Sequence, residues 1–446
     1  MYSTEKGLPL NQRKRLIRTS LFLLLSQVLI LENSEAYDLK WVSKIPGYYN
    51  LQYEVGNAIA YEELKSSKEF KTSSILISKP NPGEGIEYSG LRLSLTLDVR
   101  EKLKIISPQL ALAQNSLGEI LGFGGTCRNR GVGLNDCTQV INAVTGKEIL
   151  KVQNDSYIDL HEIIIDGQSN YWVLAYPEME QKAIQKYSSK IPLYKSQKVI
   201  DCEILKLSSS GEILSTFRLS ELLPMTEIIK KHFYEFQRTI EADTIFDPFH
   251  CNSLAIIDSD NILISLRNTN SLYSLNLKNK TMNWKLGGNH WPGVSLNLRT
   301  QGENAKSISD SQHDARYLGN DLYSFFDNQS QSGKPARGVL FKIYKPSSPF
   351  RYAKLIETFT DPGAKSSTCQ GSFRRVSERY FVAAWGCSLS GVTIFSRNGQ
   401  AIVSTRISLD KENYKHFPKG FDQAPSDSLL QRLTTVMTYR AVPYNE

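Results

Sequence analysis

Gln312-His313-Asp314-Ala315-Arg316-Tyr317-Leu318-Gly319-Asn320-Asp321-Leu322-Tyr323-Ser324-Phe325-Phe326-Asp327-Asn328 reads as a strand, a Gly/Asn/Asp turn and a second strand, with a histidine at its head. Two earlier stretches follow the same plan. One is Leu160-His161-Glu162-Ile163-Ile164-Ile165-Asp166-Gly167, and the other runs Phe249-His250-Cys251-Asn252-Ser253-Leu254-Ala255-Ile256-Ile257-Asp258-Ser259-Asp260-Asn261-Ile262-Leu263-Ile264-Ser265. The chain has six histidines, and three of them occupy equivalent positions of a repeated unit. Radial repeats bring equivalent positions together around one axis.

Working outward, five such units can be marked: Leu110 to Val152, His161 to Phe217, His250 to Leu286, His313 to Phe359, and Thr368 to Ile407. Their starts lie about 50 to 90 residues apart, which suits four-stranded blades carrying insertions of variable length. The second halves repeat as well. Ile204 to Leu214, Leu272 to Trp284 and Val392 to Val403 are all short apolar strands joined by polar Gly or Asn turns. A sixth blade would combine Leu91 to Ile106 with the distant Tyr439-Arg440-Ala441-Val442-Pro443, and closing the ring that way removes a free sheet edge. The expected fold is therefore all-β, a six-bladed β-propeller over residues 91–446. Residues 37–90 form a short N-terminal extension, and Ser220 to Ala242, with Leu222, Leu223, Met225, Ile228, Ile229, Phe233 and Phe236 near helical spacing, form a helical insertion. Residues 296–312 and 408–430 read as loops.

Residues 1–36 stand apart. Arg13, Lys14, Arg15 and Arg18 precede the apolar run Leu21 to Leu31, and Ser34-Glu35-Ala36 supplies small residues for cleavage, the pattern of a secretory signal. An uncleaved anchor is the competing reading, although the run is short of the roughly 20 apolar residues that span a bilayer. The expected protein is exported, to a periplasm or to the outside. Removing 1–36 takes away Lys6 and the four basic residues named, together with Glu5, Glu32 and Glu35, so the formal charge falls from +8 by five less three, to +6. That mild excess suits small anionic substrates. No Lys/Arg tract interleaved with aromatic residues marks a nucleic-acid surface.

The six cysteines fit an oxidising compartment. Cys127 and Cys137 flank a Gly/Asn/Arg loop and Cys369 and Cys387 bracket a hairpin, so both pairs suit local disulfides. Cys202 and Cys251 lie in apolar strands and read as well as buried free thiols. No Cys or Cys/His spacing fits a structural zinc site.

If the hairpin after His250 is antiparallel, Arg267 at the end of Ile262-Leu263-Ile264-Ser265-Leu266-Arg267 returns to the level of His250. Asn252, two residues on, shares the face of His250. A guanidinium there can bind a tetrahedral oxyanion through paired N–H donors. His161 and His313 would reach the same place from other blades. His232, His290 and His416 fall outside the pattern, and Asp327-Asn328, Trp284 and Trp385 read as turn and core residues.

The ordered set Asp247-Pro248-Phe249-His250-Cys251-Asn252-Ser253, Ile262 to Arg267, Asn283-Trp284-Lys285-Leu286-Gly287-Gly288, Gln312-His313-Asp314-Ala315 and Phe326-Asp327-Asn328 resembles the arylsulfotransferases that work without 3′-phosphoadenylyl sulfate. The resemblance spans roughly residues 105 to 445, and Val199-Ile200-Asp201-Cys202-Glu203 and Thr438-Tyr439-Arg440-Ala441 also fit. It implies a six-bladed propeller with aryl sulfates and phenols as small-molecule partners and no cofactor. His313 would be the nucleophile that forms a sulfohistidine. His161, His250, Asn252 and Arg267 would contact the sulfuryl group and the leaving phenol, and Ser372, in Gln370-Gly371-Ser372, would supply a substrate contact from the last blade. Either His250 or His161 could serve as general acid and base. A non-catalytic propeller that binds an anionic or glycan ligand in the same channel is the rival reading, and a quinoprotein dehydrogenase, suggested by Trp284 and the Gly-rich turns, is a third.

Overall fold

The protein is described by a computed structural model covering residues 38–445, apart from 46–48, 79–89, 104, 106–110, 132–133, 180–183, 185–197, 229–244, 300–307, 345–350 and 410–439. The fold is a six-bladed β-propeller. Blade one contains Ala113–Gln114, Ile120–Gly124, Gln139–Asn142 and Glu148–Lys151; blade two, Ile163–Ile165, Tyr171–Ala175, Glu203–Leu207 and Ile213–Arg218; blade three, Cys251–Ile256, Asn261–Leu266, Ser271–Asn276 and Thr281–Gly287. Blade four contains His313–Tyr317, Leu322–Asp327, Arg337–Tyr344 and Tyr352–Phe359, and blade five Ser372–Arg375, Tyr380–Ala384, Gly391–Ser396 and Ala401–Leu409. The five sequence repeats coincide with these blades. Leading strands of neighbouring blades pack against one another, which sets them around the axis.

The sixth blade closes the ring. Its order is Ala441–Asn445, Ser73–Ser78, Gly90–Leu93, Val99–Leu103, all antiparallel. The expected combination of Leu91 to Ile106 with the distant 441–443 segment is present. The blade also takes in Ser73–Ser78, a strand within the stretch 37–90. Earlier in that stretch, Asp38–Ile45 and Tyr49–Val55 form a hairpin that pairs with Ala401–Leu409 and widens blade five to six strands. Two short helices follow, Ala58–Ser66 and Lys68–Thr72. Asn57 Oδ1 accepts from the Ala60 amide at 2.8 Å at the first, and Ser67 Oγ from the Phe70 amide at 3.1 Å at the second. Tyr61 and Leu64 from the first helix bury against the strands of blades five and six.

Period-two alternation is weak in these strands because blades stack face to face and both faces of most strands are covered. Between blades four and five, Phe326, Phe359, Phe373, Phe381, Phe395 and Trp385 form one aromatic layer. The Phe373 and Phe381 rings stack at 5.2 Å, and the Trp385 indole N–H donates to Thr393 Oγ1 at 2.9 Å. Trp284 packs edge-on to Tyr323 at 5.3 Å. Both tryptophans are core residues, as their apolar surroundings in the sequence suggest.

One local expectation needs correction. Within 296–312, Asn297–Arg299 is an edge strand running parallel to Tyr352–Lys354, and residues 308–312 are buried against blade three. Gln312 shows why this segment is no open loop: its Nε2 donates to Ser265 Oγ, Leu266 O and Ser271 O at 3.0–3.1 Å, so a polar side chain fills an inter-blade seam. In the insertion, Leu219–Glu221 and Met225–Glu227 are single 3-10 turns, pinned where Lys285 Nζ, wholly buried, meets Glu227. Residues 229–244, the rest of that insertion, lie outside the described residues, as do residues 1–36, His232 and His416.

At the axis a buried charge cluster joins five blades. Glu162 of blade two meets Arg440 Nη1 at 2.8 Å and Arg316 Nη2 at 2.7 Å. Asp314 of blade four meets Arg374 Nη2 of blade five at 2.8 Å and is also paired with Arg316. Arg440, just ahead of the closing strand, donates to the Asn252 carbonyl of blade three at 2.7 Å. Burial alone would raise both carboxyls, but the arginines more than offset it and hold Glu162 and Asp314 below the usual carboxylate range. Removing one member of such a cluster strands buried charge, so Arg440→Ala should lower the unfolding free energy by about 3–5 kcal/mol. Urea denaturation followed by tryptophan fluorescence measures this, and an unchanged midpoint would show that ring closure does not depend on the cluster.

Candidate functional site

The three repeat-leading histidines come together at one end of the leading strands. The His161 and His250 rings lie 5.6 Å apart, near-perpendicular, and both bear electrostatically on His313. Each imidazole is held by its Nδ1. Asp159 Oδ2 sits 2.6 Å from His161 Nδ1 and also accepts from the His161 amide at 2.7 Å. Asp247 does the same for His250: Oδ2 is 2.7 Å from Nδ1, while Oδ1 accepts from the backbone amides of Phe249 and His250. These carboxylates fix both the turn and the ring.

His250 therefore does not obey the alternation expected of it. Its φ is 50°, the strand begins only at Cys251, and the pairing register slips between Cys251 and Ser253. Asn252 instead aims Nδ2 at the Gln312 carbonyl, 2.8 Å away, and its buried Oδ1 has no partner among the described residues. Arg267 does return to the level of His250, since its amide donates to the His250 carbonyl at 3.0 Å. Its guanidinium is steadied by Asn268 Oδ1 at 2.9 Å and the Thr368 carbonyl at 3.3 Å. Ser372 is engaged by the closing strand. It is fully buried, and its Oγ accepts from the Ala441 amide at 3.0 Å, fastening blade five to the closing strand.

His313 differs from the other two. Its Nδ1 lies 2.8 Å from Asn328 Oδ1 and 3.1 Å from the Ser311 carbonyl. Asn328 Nδ2 donates to the Gln370 carbonyl at 2.7 Å, which turns the amide oxygen toward the ring. Both neighbours of Nδ1 are acceptors, so Nδ1 carries the proton and Nε2 the lone pair. Burial depresses the His313 pKa well below its ordinary value. Arg267, His250 and His161 push the same way, against the Asn328 hydrogen bond. These influences favour the neutral ring. Asn328, which reads from sequence as a turn residue, is thus part of the site. Asp159 and Asp247 likewise escape a reading of the sequence, although an Asp two or three residues before a strand-leading His is a signal for this turn.

All six cysteines are paired, as Cys127–Cys137, Cys202–Cys251 and Cys369–Cys387. The reading of Cys202 and Cys251 as free thiols is corrected: their Cα atoms lie 6.2 Å apart across the seam between blades two and three, within disulfide reach. Each bridge adjoins the site. Cys251 follows His250, Cys369 stands between Thr368 and Gln370, which hold Arg267 and Asn328, and Cys137 pairs with Ile158 beside Asp159. Gly371, two residues after Cys369, has φ 99°, and a Cβ there would fall on the Phe326 ring. Among the described residues, no three His, Cys, Asp or Glu side chains could hold a metal ion, and no helix is long and apolar enough to cross a membrane.

The family model described as arylsulfotransferase matches residues 120–407, well over half of the chain and all of blades two to four with most of one and five. The chain belongs to the arylsulfotransferase family. No curated protein matches it. Among solved structures, a protein of unknown function from Bacteroides caccae is 9% identical, with a TM-score of 0.40 over 77% of this chain and 95% of its own. A putative 6-phosphogluconolactonase from Bacteroides fragilis is 11% identical, with a TM-score of 0.38 over 75% and 81%. The β-propeller domain of Cps50 (Swd1) from Myceliophteria thermophila is 12% identical, with a TM-score of 0.33 over 75% and 85%. These likenesses are too distant to bear on what this arylsulfotransferase family member does.

Three disulfides in a chain of this kind suit an oxidising compartment. Non-reducing peptide mapping should recover the three named pairs. Replacing Cys202 and Cys251 together by alanine should lower stability by about 2–4 kcal/mol; calorimetry showing no change would mean that the bridge does not tie the two blades.

Proposed function

We propose that this protein is an exported aryl-sulfate sulfotransferase that moves a sulfuryl group to a phenol in two steps, through a sulfohistidine at His313. One arrangement carries the reading: a buried imidazole, tethered at Nδ1 to Asn328 and with no partner of its Nε2 among the described residues, stands beside Arg267 and two carboxylate-held imidazoles. Nε2 attacks the sulfur of the aryl sulfate as the bond from sulfur to the aryl oxygen breaks. The phenolate leaves with a proton from His161 or His250. Arg267 holds non-bridging oxygens, because its fork matches their geometry. An acceptor phenol then gives its proton to the same histidine and attacks the sulfur, and the nitrogen–sulfur bond breaks.

The chemistry asks for little beyond this. Sulfuryl transfer resembles phosphoryl transfer, in which a loose transition state leaves the protein to position groups and balance charge. Splitting the reaction means that donor and acceptor never occupy the site together.

Incubation with an aryl sulfate and no acceptor should release about one equivalent of phenol in a burst and leave a sulfuryl group on His313. His313→Asn should abolish both. Normal turnover by that variant, or an adduct mapped elsewhere, would overturn the mechanism, and absence of any turnover would favour the non-catalytic propeller. A second expectation follows from the depressed His313 pKa. The rate of burst formation should not fall as pH is lowered from 8 to the ordinary histidine value of about 6.5, and should decline only below it as Nε2 takes a proton. A loss of rate on acidification that is already centred above pH 7 would mean that another group is the nucleophile.

A further inference from the structure

We propose that Asn328 is a positioning residue that makes His313, and neither His161 nor His250, the imidazole that carries the sulfuryl group; the inference rests on the sulfohistidine reading. All three rings are tethered through Nδ1, but two tethers are carboxylates, Asp159 and Asp247, and one is an amide. A carboxylate at Nδ1 stabilises the imidazolium that forms when Nε2 takes a proton, which suits a ring that passes protons. An amide oxygen fixes the same tautomer with no charge to offer. The Gln370 carbonyl at 2.7 Å from Nδ2 prevents the amide from turning over, since a turned amide would set two carbonyl oxygens against each other.

The amide matters in both half-reactions. In the resting protein it leaves Nε2 unprotonated and nucleophilic. In the adduct, Nε2 is bonded to sulfur and the ring is cationic while Nδ1 keeps its proton. When the acceptor attacks, the nitrogen–sulfur electron pair returns to Nε2 and neutral imidazole departs. A carboxylate at position 328 would draw the Nδ1 proton away, and the departing group would then be an imidazolate, a far poorer one. Among the described residues, Arg267, His250 and His161 bear electrostatically on His313, and all oppose its protonation. The flanking carboxyls are engaged elsewhere: Asp314 with Arg316 and Arg374, and Asp327 with Arg337 at 3.0 Å. Asp327 is pushed up to about 7 by burial, against the pull of Arg337. Position 328 is where a negative charge would meet the ring directly.

Ring-15N histidine NMR on the wild-type mature protein reads the tautomer without turnover. His313 should appear as the neutral Nδ1–H form at pH 7. In Asn328→Asp, the pH at which His313 protonates should rise by about one to three units, the effect of an opposite charge at this range. The acidic limb of kcat/KM should move with it, and the sulfohistidine should discharge to phenol at least tenfold more slowly. An Nε2–H tautomer in the wild type refutes the proposal, and so does a folded Asn328→Asp variant with unmoved titration and discharge. The wild-type tautomer needs no variant, so misfolding of Asn328→Asp does not shield the idea. If the wild type gives the expected tautomer but no phenol burst, the sulfohistidine reading fails, while the hold of Asn328 on the ring is decided by the NMR alone.

Discussion

Everything at the axis depends on keeping two carboxylates and three arginines out of water together. Glu162 and Asp314 have nothing apolar to replace them, since each is shared by at least two guanidiniums, most of them drawn from other blades. A stack of hydrophobic sheets can slide, because burial is non-directional. Charge-assisted hydrogen bonds cannot, because their geometry is specific. The cluster therefore fixes the angular register of blades that the aromatic layers merely hold together. It also lies within one residue of His161 and of His313, at Glu162 and Asp314, so the register of the blades is transmitted to the imidazoles by a single peptide unit in each case.

Above that floor, the site separates charges by the identity of each partner. The imidazoles are alike in chemistry and alike in being anchored at Nδ1. What distinguishes them is the net charge of the anchor, a property of a neighbouring residue. Such an arrangement lets a protein assign unlike roles to identical side chains, and it concentrates sensitivity to substitution in residues that need never touch a substrate.

The blades were legible because each repeats apolar runs and turn residues at the same intervals, and the closing combination was legible because the remaining strands had to pair somewhere. The histidines and Arg267 could be brought together from the sequence for the same reason. What could not be read were features that depend on contacts between blades. Asn328 resembles any hairpin-end asparagine until the Gln370 carbonyl, from the next blade, is seen to orient it. Cys202 and Cys251 lie in separate apolar strands 49 residues apart, and nothing local says that they face each other. Asn252 and Ser372 were placed by strand alternation or by motif; a register slip in one case, and the demands of the closing strand in the other, gave their side chains different partners.

The ion pair between Arg440 and Glu162 spans 278 residues. The four strands that lead each of blades one to five are neighbours in sequence, so their hairpins can form early and locally. The floor cannot, because closing so long a loop carries an entropic cost that is recovered only when the last blade docks. The assembled site is thus a property of the finished ring. A partly folded chain with five good blades would bring its histidines near one another over a Glu162 that has Arg316 but lacks Arg440, without the rigidity or the dryness of the closed ring.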